Sequence, residues 1–312
     1  MRVLVTGACG YKGTVLVPKL LDSGHEVIAI DTMWFGNYLK PHKNLIVEKT
    51  DVRDADKIRL DGLDAIIHLS SIANDPCGDL DPKLTWEVSA LATMQLADKA
   101  VRNGVRRFIY ASSGSVYGVK EEAQVTEDLE PRPISEYNKT KMVAERVLLS
   151  YANEMVVQII RPATVCGYSP RMRLDVSVNM LTMQALTKEH ITVFGGNQIR
   201  PNVHIDDITD VYLFMLDHPE HQGIYNAGFE NISIMDIARR VTEYAPARIT
   251  VTESNDPRSY RVNSEKLLAT GFRPKKTVDD AIREIVDKFR LGQLKDEDRF
   301  HNLKWMQREV LK

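Results

Sequence analysis

The chain has 312 residues, 43% hydrophobic and 27% charged, enough apolar material for one large or two modest cores in a folded soluble protein. A net charge of −2 gives no electrostatic reason to expect nucleic acid or a membrane surface as partner, and no apolar run approaches the ~18 residues that suggest a spanning helix. Cys9, Cys77 and Cys166 are odd in number and widely spaced, which argues against a disulfide framework and a structural zinc site. The first residues lack the long apolar core of a signal peptide, so the expected compartment is the reducing cytoplasm.

In chain order, residues 2–6, 26–30, 45–49, 65–69, 107–112 and 156–161 read as short apolar strands. Residues 14–23, 84–103 and 137–153 read as helices between them. Strand-helix alternation of this kind implies an α/β fold whose parallel sheet is covered on both faces. Pro18 cannot donate to the carbonyl of Thr14, so a kink or irregular turn is expected there. After Arg161 the regularity falls. Pro162, Gly167, Pro170, Gly195, Gly196 and Pro201 punctuate a loop-rich stretch around one helix at 176–188. A strand at 202–205, an amphipathic helix at 207–217 and a strand at 224–227 follow, and from Ser233 the pattern is helix, strand, helix. Residues 291–312 are charged with scattered Leu, Phe, Trp and Met, and read as an amphipathic flap or helix of open role.

Three groups of residues carry the chemistry. Gly7, Gly10 and Gly13 follow the first strand and open the first helix, with Tyr11 and Lys12 among them. Such a turn is tight at its first glycine, lets backbone approach a pyrophosphate at its second, and packs helix on sheet at its third. The helix N-terminus then offers unpaired N–H groups to the anion. Asp31 closes the second strand, where a carboxylate accepts both hydroxyls of an adenosine ribose and repels a 2′-phosphate. Thr32, Met33 and Trp34 bring no arginine to hold such a phosphate, so the expected cofactor is NAD rather than NADP. Asp51 and Val52 end the third strand near the expected adenine edge. His68, Leu69, Ser70 and Ser71 end the fourth, at the carboxyl side of the sheet; His68 itself reads as a histidine closing a buried strand. Last, Tyr137 and Lys141 stand four residues apart on one helix face, after the serine-rich stretch at 110–118. A lysine cation favours a neighbouring phenolate. A phenolate beside a nicotinamide takes the proton of a substrate hydroxyl while hydride leaves the carbon.

These stretches, with Arg161–Thr164, Arg200–Asp207 and Asp256–Val262, resemble the extended short-chain dehydrogenase/reductase family over nearly the whole chain, in its nucleotide-sugar epimerase and dehydratase branch. The resemblance implies a Rossmann-type doubly wound parallel sheet with a smaller, loop-rich α/β substrate-binding domain. The expected division is an NAD-binding domain at 1–165 with chain returns near 203–230 and 276–290, and a substrate domain at 166–202 and 231–275. It implies a catalytic triad in which Ser113 bonds the sugar oxygen being oxidised, Tyr137 is the base, and Lys141 binds the nicotinamide ribose and tunes Tyr137. It also implies a nucleotide-diphosphate sugar as substrate, contacted by Ser113, Thr164, Asn179, Arg200 and Arg258, with Val193 and Phe194 against the nucleotide base. No metal is expected. A homodimer is expected, with helices 84–103 and 137–153 pairing across a two-fold axis.

Within the family, 4,6-dehydratases carry Thr-Asp-Glu where this chain has Ser113-Gly114-Ser115, so the acids that eliminate water are absent and the pattern looks more like a 4-epimerase. A 4-dehydrogenase or ketoreductase uses the same residues and stops after half the cycle. A regulatory NAD-binding protein has no need of the triad. Ser89, Lys12, Cys166 and Glu253 depart from the family pattern.

Overall fold

The computed structural model describes residues 1–253 and 259–311. Its strands are β1 (Arg2–Thr6), β2 (Glu26–Asp31), β3 (Leu45–Lys49), β4 (Ala65–His68), β5 (Arg107–Ala111), β6 (Val156–Pro162), β7 (Thr164–Cys166), β8 (His190–Phe194), β9 (Ile199–His204), β10 (Gly223–Ala227), β11 (Glu230–Ser233) and β12 (Arg248–Thr252). Its α-helices are α1 (Gly13–Asp22), α2 (Asp75–Leu80), α3 (Pro82–Trp86), α4 (Ala92–Arg102), α5 (Glu136–Ser150), α6 (Ser177–Lys188), α7 (Ile205–Asp217), α8 (Ile234–Tyr244), α9 (Glu265–Ala269), α10 (Val278–Arg290) and α11 (Asn302–Trp305). No described helix is long and apolar enough to cross a membrane.

Seven strands form one sheet in the order β10-β6-β5-β4-β1-β2-β3, and every neighbouring pair in it is parallel. The strands are apolar almost throughout because both faces are covered. One face carries a core of Leu4, Ile66, Phe108, Ala97 and Leu148; the other carries Val5, Leu16, Ile109, Val211 and Tyr212. The order runs outward from β1 in two directions, which leaves a crevice above its carboxyl end, the usual place for a ligand in such sheets. A second lobe consists of the three-stranded sheet β11-β9-β7, the pair β12-β8, and helices α6, α8 and α10 around a core of Val178, Leu181, Val193, Ile237 and Ile282.

The expected doubly wound sheet is present, with four local differences. Residues 84–103 do not form one regular helix: a π-turn at Glu87–Leu91 separates α3 from α4. There the Oγ of buried Ser89 accepts from the backbone N of Ile72 at 3.2 Å, so this side chain positions the loop after β4. Helix α1 runs without a break across Pro18, because the buried side chains Leu16, Val17 and Leu20 hold it to the sheet and packing outweighs one missing bond. The chain return expected at 276–290 falls earlier. Leu267 of α9 and Phe272 join the sheet core, whereas α10 packs through Val278, Ala281 and Ile282 into the second lobe. Finally, the C-terminal stretch folds back on the molecule, burying Phe300 and Met306.

Two buried polar groups tie the sheet to its helices. His68 is fully buried, with Nδ1 2.7 Å from the Thr6 hydroxyl and Nε2 2.9 Å from the Thr93 hydroxyl. Thr93 donates to the Ser89 carbonyl, so it accepts from His68 Nε2–H, and Nδ1 accepts from Thr6. That neutral tautomer leaves no room for a second ring proton, and burial pushes the imidazole down to about 3. Arg161 on β6 and Glu145 on α5 form a buried pair, with Nε to Oε1 at 2.9 Å and Nη2 to Oε2 at 2.6 Å. Arg161 Nη1 donates to Tyr117 Oη at 2.7 Å, and Ser112 donates to Glu145.

Between its ordinary value near 6.5 and its folded value of about 3, His68 is protonated only in the unfolded chain, so its contribution to stability falls as pH falls through that window. In His68→Gln the unfolding free energy should lose pH dependence of up to ~1.4 kcal/mol per pH unit between about pH 6 and about pH 4; urea melts at several pH values that give the same slope as the unmodified protein would contradict this. Arg161→Met leaves Glu145 in the core without its cation, with only the Ser112 hydroxyl as partner, which should cost ~3–5 kcal/mol by denaturant unfolding. A loss below ~1 kcal/mol would mean that the pair behaves as an exposed one.

Candidate active site

The carboxyl ends of β1, β2, β4, β5 and β6 and the second lobe enclose a cavity of about 570 Å³. Gly7, at φ 66°, makes the turn out of β1; a Cβ there would lie 2.8 Å from the backbone N of Ser70. A Cβ on Gly13 would lie 2.4 Å from the carbonyl of Ala8, so the start of α1 can approach the turn only without a side chain. Gly10, Tyr11, Lys12, Leu69, Ser70 and Ser71 line the same cavity. Tyr11 also reaches the second lobe, donating to the Gly167 carbonyl at 2.7 Å.

Asp31 is fixed by two backbone donors, Cys9 N at 3.0 Å on Oδ2 and Met33 N at 2.7 Å on Oδ1. The residue lines the cavity and each oxygen keeps accepting capacity, which fits the two hydroxyls of a ribose. Burial raises its pKa, and the two N–H bonds and the Arg171 charge oppose that rise. Asp51 and Val52 also line the cavity. The Asp51 carboxylate is clamped by Arg53, with Nη2 to Oδ2 at 2.8 Å, so it is not a bare group waiting for an adenine.

Ser113, Tyr137 and Lys141 come together at the other end of the cavity. The Ser113 hydroxyl bonds that of Ser115 and lies close enough to the phenol of Tyr137 to lower its pKa. Helix α5 starts at an N-cap, Ser135, whose Oγ accepts from Asn138 N and donates to Asp75 Oδ1 at 2.6 Å. Tyr137 therefore sits in the first turn. It lies so close to α2 that a Cβ on Gly78 would meet its Cβ at 3.0 Å. One turn on, Lys141 is 2% exposed, donates to the Ala111 carbonyl at 2.7 Å and has Nζ 5.9 Å from the Tyr137 ring centre. Burial pushes Tyr137 up to about 12, with the nearby Ser113 hydroxyl and the Arg173 charge lowering it. Burial, and then Lys12, hold Lys141 well below the ordinary lysine range. This constellation can give and take a proton at a phenolic oxygen beside a serine donor.

Of the expected substrate contacts, Thr164 and Arg200 line the cavity. Arg258 lies outside the described residues, as do the first residues of the Asp256–Val262 motif; Tyr260, from the same motif, lines the cavity. Three expected contacts are not brought there. Asn179 is fully buried; its Oδ1 accepts from Gly167 N at 3.0 Å, and its Nδ2 donates to Tyr11 Oη and the Arg173 carbonyl. It braces the wall rather than facing a ligand. Val193 is sealed in the core of the second lobe, because alternation along β8 turns it inward. Phe194, the next residue, points to solvent at 56% exposure.

Sequence reasoning misses Arg171, Arg173 and Asp175, all of which line the cavity. Arg173 makes a fork on Asp175, Nε to Oδ1 and Nη2 to Oδ2, both at 2.9 Å. The available signal is Arg171-Met-Arg173-Leu-Asp175 in a loop-rich stretch, where paired guanidinia suit phosphate oxygens. Asn302 from the C-terminal stretch also reaches the cavity.

Comparison with known proteins agrees with this geometry. A model of the NAD dependent epimerase/dehydratase family matches residues 3–228. YtcB of Bacillus subtilis (strain 168), described as an uncharacterized UDP-glucose epimerase, is 30% identical over 269 residues, 80% of this chain and 84% of that one. The UDP-glucose 4-epimerase of Thermus thermophilus, solved with NAD, superposes with a TM-score of 0.83 at 27% identity, covering 93% of this chain and 99% of that one. DesIV, a dTDP-glucose 4,6-dehydratase of Streptomyces venezuelae solved with NAD and TYD, shares the fold with a TM-score of 0.85 at 23% identity, over 94% of this chain and 98% of that one. With the family match spanning most of its length, this chain belongs to the NAD dependent epimerase/dehydratase family.

Proposed function

We propose that the protein is an NAD-dependent nucleotide-sugar epimerase working through a transient 4-keto sugar. The observation that carries this reading is the meeting of Ser113, Tyr137 and Lys141 in the cavity that also holds Asp31 and the glycine turn, while Gly114 and Ser115 bring no carboxylate to the place where dehydration needs one. UDP-sugars are the favoured substrates, since the epimerase relatives are named for UDP-glucose.

Tyr137 takes the proton of the sugar 4-hydroxyl and later returns it. Ser113 donates to the same sugar oxygen and holds it at the phenol. Lys141, anchored on the Ala111 carbonyl, presents its remaining protons toward the nicotinamide ribose. NAD, when bound, accepts hydride from C4 and gives it back to the opposite face, so net redox is zero. Asp31 takes the adenosine ribose. Thr164 and Arg200 contribute to the walls that hold the nucleotide diphosphate, and Arg258 is proposed with them.

We also place a second copy of the chain against the helices that cover the sheet beside the site. The stretch from α3 through α4, together with α5, leaves Trp86, Leu91, Met94 and Leu149 exposed, and closed two-fold pairing is the commonest way to cover such surface.

Two outcomes are expected for the chemistry. Product NMR with UDP-, GDP-, CDP- and dTDP-sugars should show interconversion at C4 for UDP-glucose and UDP-galactose with no accumulation of NADH; a 4-keto-6-deoxy product or stoichiometric NADH would sink the reading. Tyr137→Phe should lower kcat by roughly 10²–10⁴-fold with NAD still bound, and normal turnover by that variant would remove Tyr137 from the chemistry. For assembly, light scattering should give twice the chain mass, reduced to one chain mass in a Leu91→Glu, Met94→Glu variant; one chain mass in the unmodified protein would reject the pairing.

A further inference from the structure

Resting on the cofactor assignment above, we propose that Arg171 and Arg173, carried by the loop between β7 and α6, hold the pyrophosphate of NAD from the second lobe, so that the cofactor is gripped by both lobes rather than by the glycine turn alone.

Four observations converge on this. Both arginines line the cavity formed by Gly7, Gly10, Gly13 and Asp31, and both are largely removed from solvent, Arg171 at 2% exposure and the Arg173 side chain at 13%. Each guanidinium keeps a donor unspent. Arg171 gives Nη2 to Asn302 Oδ1 at 2.6 Å and Nη1 to the Met172 carbonyl at 3.2 Å, and its buried Nε has no partner. Arg173 spends Nε and Nη2 on Asp175. A buried charged donor without an acceptor is unfavourable, and the spare Nη hydrogens of both guanidinia remain for a ligand oxygen.

The second observation is charge. Lys12, Arg171 and Arg173 all line the cavity. Asp175 is occupied by Arg173 and by Asn74 Nδ2 at 3.1 Å, and Asp31 is the ribose group. Burial, and then the Arg173 charge, push Lys12 down to about 8. A pyrophosphate brings oxygens that planar guanidinia match in pairs.

The third is position along the cofactor. Arg171 rests over Phe35, shortly after Asp31, and Arg173 is joined through Asp175 to Asn74, next to the Asp75 that bonds the N-cap of the Tyr137 helix. The pair thus stands between the Asp31 end and the Tyr137 end of the cavity, where the proposal puts the pyrophosphate. The fourth is bracing. Ser169, in the same loop, donates to the Tyr11 carbonyl at 2.9 Å and bonds the Thr14 hydroxyl at 2.8 Å, so the loop is registered on the glycine turn. On its other side, Arg171 rests 4.0 Å over the Phe35 ring and Leu174 N donates to the Phe300 carbonyl at 2.8 Å. The C-terminal stretch of open role is therefore part of this grip, with Asn302 as its contact.

A nucleotide-sugar diphosphate offers the same chemistry, so the test separates the two sources. NAD, ADP, adenosine and UDP are each titrated by calorimetry into cofactor-stripped protein, and NAD retained per chain after gel filtration is measured on protein as purified. The variants are Arg171→Gln, Arg173→Gln and Asn302→Ala. The arginine variants should bind NAD and ADP roughly ten- to hundred-fold more weakly and lose NAD on the column, with adenosine and UDP affinities unchanged. Asn302→Ala should show the same pattern at smaller size. Loss confined to UDP would overturn the proposal and assign the arginines to substrate, and unchanged ADP binding in both arginine variants would overturn it outright. Adenosine affinity reports folding: should Arg171→Gln lose it, Arg171→Lys, which keeps the charge without the fork, must bind ADP better than Arg171→Gln or the proposal fails. If the unmodified protein bound neither NAD nor ADP, the cofactor assignment itself would fall, a result distinct from any of these.

Discussion

One face of helix α5 organises the wall of the cavity. Tyr137, Lys141 and Glu145 recur at four-residue intervals, and each meets the end of a strand. Tyr137 stands near Ser113 just past β5, whose hydroxyl lowers its pKa. Lys141 donates to Ala111, the last residue of β5, and Glu145 takes Ser112 and the fork of Arg161 on β6. The Glu145–Arg161 pair is deeply buried and breaking such a pair is costly, so the helix has one position along the sheet. Its start is fixed as well, by the Ser135 cap and its bond to Asp75. A phenol held at both ends of its helix keeps its place relative to Ser113 without help from a ligand, which is the preorganisation that proton transfer needs.

The second constraint is the way the lobes are joined. Tyr11 leaves the glycine turn and bonds Gly167, and Asn179 closes that contact from α6. Ser169 adds two bonds back to the glycine turn and the start of α1. The glycine turn thus lines the cavity and is also the seam along which the second lobe is set. The C-terminal stretch crosses the same region, with Trp305 Nε1 donating to the Trp34 carbonyl at 2.7 Å, just beyond Asp31. Enclosure of this kind suits chemistry in which hydride must leave a carbon and return to it without escaping to water.

Much of this is legible in the sequence. The six strands of the first half stand out as apolar runs because a parallel sheet buries both faces. The glycine turn, Asp31 and the Tyr137–Lys141 pair stand out because each chemistry demands a residue type at a fixed place on a strand end or helix face. What the sequence hides is tertiary. Helix α10 has as clear an apolar stripe as any helix of the sheet layers, and a stripe does not say which lobe it covers. A family pattern points Asn179 and Val193 at the ligand, but their side chains are consumed by the wall and the core. Arginines are expected in the right half of the chain, yet Arg171 and Arg173 escape notice, because their meeting with Asp31 and Lys12 depends on contacts more than a hundred residues apart in sequence.

The central claim is that hydride leaves and returns to one sugar carbon inside this cleft while Tyr137 moves the proton. UDP-glucose carrying deuterium at C4 tests it most directly. Incubated with the NAD-loaded protein in ordinary water, both epimers should keep the label at C4, with none lost to solvent and none appearing at C5 or C6. Loss of the C4 label to water, or its transfer to C6 with loss of oxygen there, would contradict the account.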